Sequence, residues 1–234
     1  MPTDGLLLVD KPAGVTSHDV VGAARRALRE KRIGHGGTLD PFATGLLVLM
    51  VGRATRLLPY LSGDPKVYDA TIRFGAETDT EDAGGTVVRE GPLPGRAAID
   101  AAVPALTGEI EQVPPAYSAK RVGGRRSYDL ARAGVAVDLP PARVRVDRWE
   151  IGAVREGPDG GVVECDARIT CGPGTYIRSL ARDLGRLVGS AAHLTALRRV
   201  RSGRFAVDGA VSLAALQAGE GALRPALDAV PDFP

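Results

Sequence analysis

Two segments of the sequence alternate apolar and polar residues, and this alternation limits the possible folds more than any other feature. It extends from Tyr68 to Gly75 and again over residues 162–170. A period of two is typical of a β-strand with one buried face. Residues 175–188 instead repeat apolar positions at the spacing of an amphipathic helix. Since strands and helices do not alternate regularly, the sequence predicts an α+β fold with a largely antiparallel mixed β-sheet flanked by helices and loops.

The N-terminal part of the chain is predicted to hold a strand, a helix and a second strand. Residues 5–10 are expected to form the first strand. Ser17 is expected to cap the helix, and Gly34 to lie just past its C-terminal end. The apolar run Leu46–Val51 is typical of a buried strand. A loop at residues 35–44 is expected to connect the helix to this run.

The composition is typical of a globular protein and excludes several classes. With 234 residues, 44% of them hydrophobic and 25% charged, the chain can bury a large core without disulfides or metals. Its longest apolar run has six residues, whereas a membrane helix needs roughly 20. The N-terminus lacks the basic region of a signal peptide. We therefore expect a cytoplasmic protein that does not contact a membrane.

The cysteines and histidines are not spaced as metal ligands. Cys165 and Cys171 lack the CxxC pattern, and Cys165 falls on the apolar face of the strand predicted at residues 162–170. The three histidines are scattered along the chain, and no GxGxxG motif opens a helix after a strand. The sequence therefore predicts no metal site and no dinucleotide cofactor.

Charged residues are unevenly distributed, although the net charge is only +2. Basic residues, of which 26 are arginine and 4 lysine, cluster at 25–32, 120–132 and 198–204, while the acidic residues 79–85 are expected to form a polar loop. A single cluster is commonly solvated surface, but three beside loops rich in glycine and tyrosine favour a phosphate-rich partner. The predicted contacts to an RNA backbone are Arg25, Arg29, Lys120, Arg125, Arg126, Arg198 and Arg199.

The glycine-rich segment at residues 34–45 carries one carboxylate, Asp40, followed by Pro41. An aspartate before proline is most often a turn residue. The alternative is a carboxylate held rigidly on a loop between packed elements, which is a common position for a catalytic group. The local sequence leaves both interpretations open.

The same segment reads GHGGTLDPFATG and resembles the catalytic loop of the TruB family of tRNA pseudouridine synthases, GH-x-G-x-LDP-x-ATG. Further blocks resemble the family, and all of them occur in the family's order over residues 5–215. These blocks are LVDKPAG, KVY, TDTEDA, QVPPAYSAK, GTYIR and AHLTALRR. One such block would be weak evidence, whereas seven in register strongly indicate the family.

The resemblance implies that uridine 55 in the T loop of tRNA is isomerised to pseudouridine, on a flipped-out base and without a cofactor. Asp40 matches the catalytic aspartate of the family, and Arg178 matches the arginine that pairs with it. Tyr68 matches the tyrosine that stacks on the base and assists removal of the C5 proton. By pattern alone, Tyr68 is a core residue of a strand and Arg178 a surface residue of a helix.

Three further residues match family positions that hold the uridine. Tyr176 and Leu197 match residues that line the uracil pocket, and His35 matches a histidine that stacks in place of the extruded base. By pattern alone, the first two are ordinary core residues and His35 is a polar loop residue. The resemblance further implies a monomer that acts on the T arm of tRNA and has no protein partner.

The resemblance also predicts how the chain is organised. Residues 1–215 are expected to form the catalytic domain and residues 216–234 a C-terminal tail. The small C-terminal RNA-binding module that family members commonly carry is expected to be absent. We therefore expect weaker affinity for tRNA than a longer relative would show, with the chemistry intact.

Three alternative functions are compatible with parts of the sequence. A protein that binds or folds tRNA without catalysis would share the basic clusters but would not need Asp40 with Arg178. Synthases that act on ribosomal RNA carry a different loop, with arginine two residues before the aspartate, where this chain has Thr38. A glycosidase needs two carboxylates around the bond that it breaks, and no second acid shares the Asp40 loop.

Overall fold

The computed structural model describes residues 4–118, 120–122, 125–133, 135 and 139–229. The chain divides into two compact units, the first formed by Met1–Asp69 with Leu197–Pro234 and the second by Ala70–Ala196. Strands and helices are mixed in both, which confirms the predicted α+β class. None of the described helices is long and apolar enough to cross a membrane.

Strands joined by short helices and turns make up both units. The strands are β1 (Gly5–Lys11), β2 (Ile33–His35), β3 (Thr44–Val51), β4 (Lys66–Phe74), β5 (Ala76–Thr78), β6 (Val87–Glu90), β7 (Gly108–Gln112), β8 (Arg121–Val122), β9 (Arg125–Arg126), β10 (Ala142–Glu156), β11 (Val162–Cys171), β12 (Ala192–Ser202), β13 (Phe205–Ala206) and β14 (Val211–Ser212). The α-helices are α1 (Ser17–Leu28), α2 (Leu58–Ser62), α3 (Arg96–Ala102), α4 (Ser127–Arg132), α5 (Ile177–Leu187) and α6 (Leu213–Gln217). Short 3-10 turns lie at Gly52–Leu57, Val103–Leu106, Val207–Gly209 and Ala226–Ala229.

The first unit is built on β1 and β3, which are buried on both faces. The two strands pair in antiparallel orientation over almost their full lengths. β14 lies parallel to β1 and β12 lies parallel to β3, which gives the order β14–β1–β3–β12. One face of the central pair packs against α1, and the other packs against Leu61 and Phe205. The prediction of a buried strand at Leu46–Val51 is therefore confirmed, and burial on both faces explains why this run does not alternate.

The N-cap of α1 is Thr16, not Ser17 as the sequence predicted. The Thr16 hydroxyl accepts from the backbone N–H of Asp19, and the Asp19 carboxylate accepts from the backbone N–H of Thr16. This capping leaves the hydroxyl of Ser17 for a contact outside the helix. The helix ends at Leu28 and its C-cap is Arg29, whose φ of 52° is left-handed, whereas Gly34, which was predicted at this end, lies in β2.

The second unit holds β11, β10 and β7 together with the part of β4 that begins at Ala70, and the strand order is β4, β11, β10, β7. β10 pairs in antiparallel orientation with β11 on one side and with β7 on the other. As the alternation predicts, Cys165, Ala167 and Ile169 of β11 are buried. Burial raises the pKa of Cys165 to about 12, so this thiol packs as an apolar side chain. Helix α5 is buried along most of its length, including its first turn.

Candidate active site

Asp40 lies between β2 and β3, and the residues on both sides of it are fixed through their main chains. The Ser17 hydroxyl donates to the carbonyl of Leu39 (3.1 Å) and accepts from the N–H of the same residue (2.9 Å). The carbonyl of Pro41 accepts from the backbone N–H of Gly14 (2.8 Å). The backbone around Asp40 is therefore held in place, while its side chain is partly exposed.

Lys11 is completely buried next to this segment. Its ammonium group donates to the carbonyls of Pro12 (2.9 Å), Val15 (2.8 Å) and Pro41 (3.2 Å). Burial lowers the pKa of Lys11 to about 8, and the negative charge of Asp40 acts in the opposite direction. Sequence reasoning assigned no role to Lys11. The available signal was a lysine directly after an apolar strand and before a proline.

Arg199, on β12, binds the main chain of the glycine-rich segment at residues 34–45, which is called the Asp40 segment from here on. Its Nε donates to the carbonyl of Leu46 (2.7 Å), and its Nη atoms donate to those of Thr38 (3.4 Å) and Gly37 (3.1 Å). Since Arg199 is only 3% exposed, the prediction that it contacts RNA phosphate is wrong. Successive side chains of a strand point to opposite faces, and this alternation turns one of two adjacent arginines inward.

Gly45 lets β3 approach Arg199 closely. Its φ is +100°, and a Cβ at this position would lie 2.3 Å from the carbonyl oxygen of Arg199. Any other residue would separate β3 from β12 at the point where the Asp40 segment ends.

Two other arginines that were predicted to contact phosphate form hydrogen bonds within the first unit. Arg198 donates to both carboxylate oxygens of Asp10, at 3.0 and 2.8 Å, and the two side chains form an ion pair. Arg25 is half-buried, and its Nη2 donates to the carbonyl of Ile33 (3.1 Å). Both arginines therefore connect secondary-structure elements of this unit.

Arg29 and Lys120, also predicted as phosphate contacts, are exposed. Arg125 and Arg126 form β9, and their side chains lie outside the described part of the structure. Among the predicted basic residues whose side chains are described, Arg29 and Lys120 therefore fit a contact with an RNA backbone best.

Tyr68, His35 and Leu197 belong to the same unit as Asp40. Tyr68 lies on β4 and is partly exposed, whereas Leu197 lies on β12 and is buried.

Burial lowers the pKa of His35, so its imidazole is neutral near pH 7. Its Nδ1 is buried and has no hydrogen-bond partner among the described residues. An imidazole ring is flat and can stack on a base.

Arg178 and Tyr176 belong to the second unit, at the beginning of α5. Arg178 is 3% exposed, and its Nη1 and Nη2 donate to the carbonyls of Thr80 and Tyr117, both at 2.9 Å. It is therefore not the surface residue that the pattern alone indicated. Gln112, to which sequence reasoning gave no role, accepts from the N–H of Tyr176 (2.8 Å) and donates to its carbonyl (3.0 Å).

Residues 79–85 form the predicted loop, but Glu81 within it is buried. Glu81 accepts hydrogen bonds from Arg182 and from the hydroxyl of Ser179 (3.0 Å). Burial raises the pKa of the Glu81 carboxyl, while the charges of Arg182 and Arg178 act in the opposite direction. A local pattern does not reveal this pair, because its two partners are 101 residues apart.

The first unit thus presents one carboxylate, Asp40, on a segment with the buried cations Lys11 and Arg199 around it. A positioned carboxylate can act as a nucleophile or as a general base. Throughout the part of the chain that the structure describes, no three His, Cys, Asp or Glu side chains are grouped so that they could hold a metal ion.

Two family models match this chain. The model for the N-terminal domain of the TruB family of pseudouridylate synthases matches residues 25–177. The model for the C-terminal domain of tRNA pseudouridylate synthase B matches residues 178–230. The predicted domain boundary at residue 215 stays a prediction.

Curated relatives are similar to nearly the whole chain. The tRNA pseudouridine synthase B of Thermobifida fusca is 52% identical over 231 residues, which cover 97% of this chain and 78% of the relative. The protein of the same name from Mycobacterium tuberculosis is 52% identical over 225 residues, which cover 95% of this chain and 73% of the relative.

Solved structures share the fold. A chain in the crystal structure of a Cbf5-Nop10-Gar1 complex has a TM-score of 0.71 and 29% identity, over 92% of this chain and 54% of that chain. A chain in the structure of an H/ACA RNP bound to a substrate RNA containing 2′-deoxyuridine has a TM-score of 0.67 and 26% identity. The match covers 92% of this chain and 52% of that chain. This chain thus spans about half the length of either one. The family models and the curated relatives agree, and this chain belongs to the TruB family of pseudouridylate synthases.

Proposed function

We propose that this chain converts uridine 55 in the T loop of tRNA to pseudouridine, with Asp40 as the reacting carboxylate. Family membership and 52% identity to an enzyme named tRNA pseudouridine synthase B support the isomerisation of a uridine in tRNA. One observation supports this role for Asp40 most directly: hydrogen bonds fix the main chains of its two neighbours, Leu39 and Pro41. A carboxylate positioned in this way reacts without first having to be ordered.

The reaction rearranges the nucleotide without net loss of atoms. The bond between N1 and C1′ breaks, the uracil turns, and a bond forms between C5 and C1′. C5 loses its proton, and N1 gains one. Asp40 acts as a nucleophile, at the base or at C1′, and is released at the end, so the product is an isomer and no cofactor is consumed.

We assign Arg178 to the carboxylate of Asp40 and Tyr68 to the reacting base. A guanidinium can bind a carboxylate through two parallel hydrogen bonds. The burial of Arg178, and its orientation by the carbonyls of Thr80 and Tyr117, support a fixed role for this cation. Tyr68 is partly exposed on β4 and offers a ring that can stack and a hydroxyl that can relay the C5 proton.

The uridine must leave the folded T loop before it can react, which costs about a few kcal/mol of stacking. We assign to His35 the position in the T loop of the tRNA that the uridine leaves, where its ring would stack in place of the base. We assign Tyr176 and Leu197 to the walls of the uracil pocket. The flat, partly buried ring of His35 and the burial of Leu197 support these roles.

The exposed basic residues Arg29 and Lys120 are assigned to the phosphates of the T arm. Each phosphate that a basic side chain neutralises releases a counterion. The affinity for tRNA is therefore expected to fall as the salt concentration rises.

The function is tested by tritium release from an unmodified tRNA transcript labelled at C5 of its uridines. Mass alone does not distinguish the product, because pseudouridine is an isomer of uridine. We expect about one label per tRNA, since one uridine is isomerised. The matched control is a transcript in which uridine 55 is replaced by cytidine, and it should release none.

Each other outcome contradicts a different part of the proposal. Release from the cytidine transcript would assign the activity to another uridine. If neither transcript releases tritium although both bind tightly and in a salt-sensitive way, the result would favour a protein that binds or folds tRNA without catalysis.

The buried Lys11 makes the reaction rate sensitive to alkaline pH. Its pKa of about 8 means that the ammonium next to Asp40 loses its charge as the pH rises through this value. We expect the single-turnover rate to fall over this range in the wild type. In Lys11→Met the rate should be lower at pH 7 and show no such fall, because the titrating group is gone.

Unfolding does not account for this loss of rate. The pKa of Lys11 in the folded protein lies below its ordinary value of 10.5, so between these values the unfolded chain binds more protons. The contribution of Lys11 to stability therefore rises from about pH 8 to pH 10.5. Urea unfolding at each pH provides the control. An alkaline fall of equal size in Lys11→Met would contradict the assignment to Lys11.

A further inference from the structure

Two main-chain carbonyls accept hydrogen bonds from the guanidinium of Arg178. That of Thr80 lies in the loop at residues 79–85, and that of Tyr117 lies in the segment after β7. Each carbonyl accepts from a different guanidinium nitrogen, so a shift of either one would turn the side chain. Whatever fixes these two segments therefore helps to orient Arg178.

Glu81 fixes the first of these segments. Its φ of 61° is in the left-handed region, where a residue other than glycine is strained. Its N–H donates to the carbonyl of Thr78 and its own carbonyl accepts from Leu194, both at 3.1 Å. Its carboxylate accepts from the hydroxyl of Ser179 at 3.0 Å. With both main-chain groups and the side chain held, the carbonyl of Thr80 just before it is held as well.

Arg182 connects Glu81 to the second segment. It lies one helical turn after Arg178 on α5, is buried, and forms an ion pair with the Glu81 carboxylate. Its Nη2 donates to the carbonyl of Val113 (2.9 Å), four residues before Tyr117. Through the ion pair and this hydrogen bond, Arg182 joins α5 to both segments that contact Arg178.

A buried ion pair is a weak source of stability, because removing two charges from water costs about as much as their attraction returns. Here both partners are 6% exposed. We propose that Glu81, paired with Arg182, is a positioning residue for Arg178. This inference rests on the proposed function, since it gives Glu81 a role in the same reaction.

The test is a double-mutant cycle of Glu81→Gln with Arg178→Lys, measured by single-turnover tritium release. Glutamine keeps the size of the side chain and removes its charge. Glu81→Gln is expected to lower the rate by about tenfold or more and to change the Kd for tRNA by less than about threefold, because misplacing a reacting group affects rate more than binding. In the Arg178→Lys background the same substitution should cost less than about threefold, because an ammonium does not reproduce the fork of the guanidinium.

Glu77→Gln is the matched control. Glu77 is also buried, and it pairs with Arg186 of the same helix and with Arg89, not with the segments that hold Arg178. We expect Glu77→Gln to lose stability and to keep its rate. If Glu81→Gln does not fold, Ser179→Ala replaces it in the cycle, because this change removes only the hydroxyl that donates to Glu81. Ser179→Ala is expected to lower the rate about threefold, and this loss should disappear in the Arg178→Lys background.

Two results would overturn the positioning role. One is an equal rate for Glu81→Gln and Glu77→Gln, and the other is an equal loss from Glu81→Gln (or Ser179→Ala) in both backgrounds. The wild type separates this failure from a failure of the proposed function. A wild type that releases no tritium contradicts the function itself, whereas an active wild type with an equally active Glu81→Gln contradicts only the role of Glu81.

Discussion

Tritium release is expected to fall by about four orders of magnitude or more when Asp40 is replaced by asparagine. The amide has nearly the shape of the carboxylate but lacks its negative charge, so the attack on the base or on C1′ cannot begin. The main-chain hydrogen bonds of Leu39 and Pro41 do not involve the carboxylate, so the segment should keep its conformation. The Kd for tRNA is therefore expected to stay within about threefold of the wild-type value.

Asp208→Asn is the matched control for this experiment. Asp208 is an exposed acid in the same unit, so the same change of charge there should leave the rate unaltered. Single-turnover release and filter binding are measured for both variants. A rate for Asp40→Asn above about one per cent of the wild-type rate would contradict the assignment of Asp40 as the nucleophile.

The free energy of unfolding is expected to fall by about 3 kcal/mol in Arg199→Met. Methionine fills the buried volume but donates no hydrogen bond, so the carbonyls of Gly37, Thr38 and Leu46 lose their donor. Urea unfolding followed by circular dichroism measures this change. The rate of tritium release should also fall, because two of the three carbonyls lie in the segment that positions Asp40.

Arg201→Met is the matched control for this loss of stability. Arg201 lies on the same strand but is exposed, and its Nε donates to the carbonyl of Gly203 (3.1 Å). Its replacement should change the free energy of unfolding by less than about 0.5 kcal/mol. If both variants unfold at the same urea concentration, the buried guanidinium does not stabilise the Asp40 segment.

The strands predicted from local periodicity agree with the structure, whereas Arg178, which the same reasoning placed on the surface of a helix, is buried. β11 alternates because one of its faces is buried, and β3 is uniformly apolar because both of its faces are buried. The boundary of α1 was predicted less well, since Thr16 and Ser17 are both good N-caps. The choice between them depends on Asp19, which completes the capping box, and on Leu39, which lies 22 residues away and occupies the hydroxyl of Ser17.

Motifs identified the candidate site only in part. The resemblance to the family pointed to Asp40 and Arg178 as residues of one reaction. It gave no role to Lys11, Gln112 or Glu81, which hold neighbouring groups. These three side chains act through main-chain or side-chain partners that are brought to them by folding, and Glu81 and Arg182 are 101 residues apart in the chain.

The sequence by itself determined the α+β class, the principal strands and the family, because periodicity and motifs are written in consecutive residues. Only the tertiary structure decided which charged side chains are buried. Arg198 and Arg199 are neighbours in one basic cluster, yet the first pairs with Asp10 and the second is enclosed by three carbonyls. A charge is buried only where distant segments supply its hydrogen-bond partners, and the local sequence does not contain that arrangement.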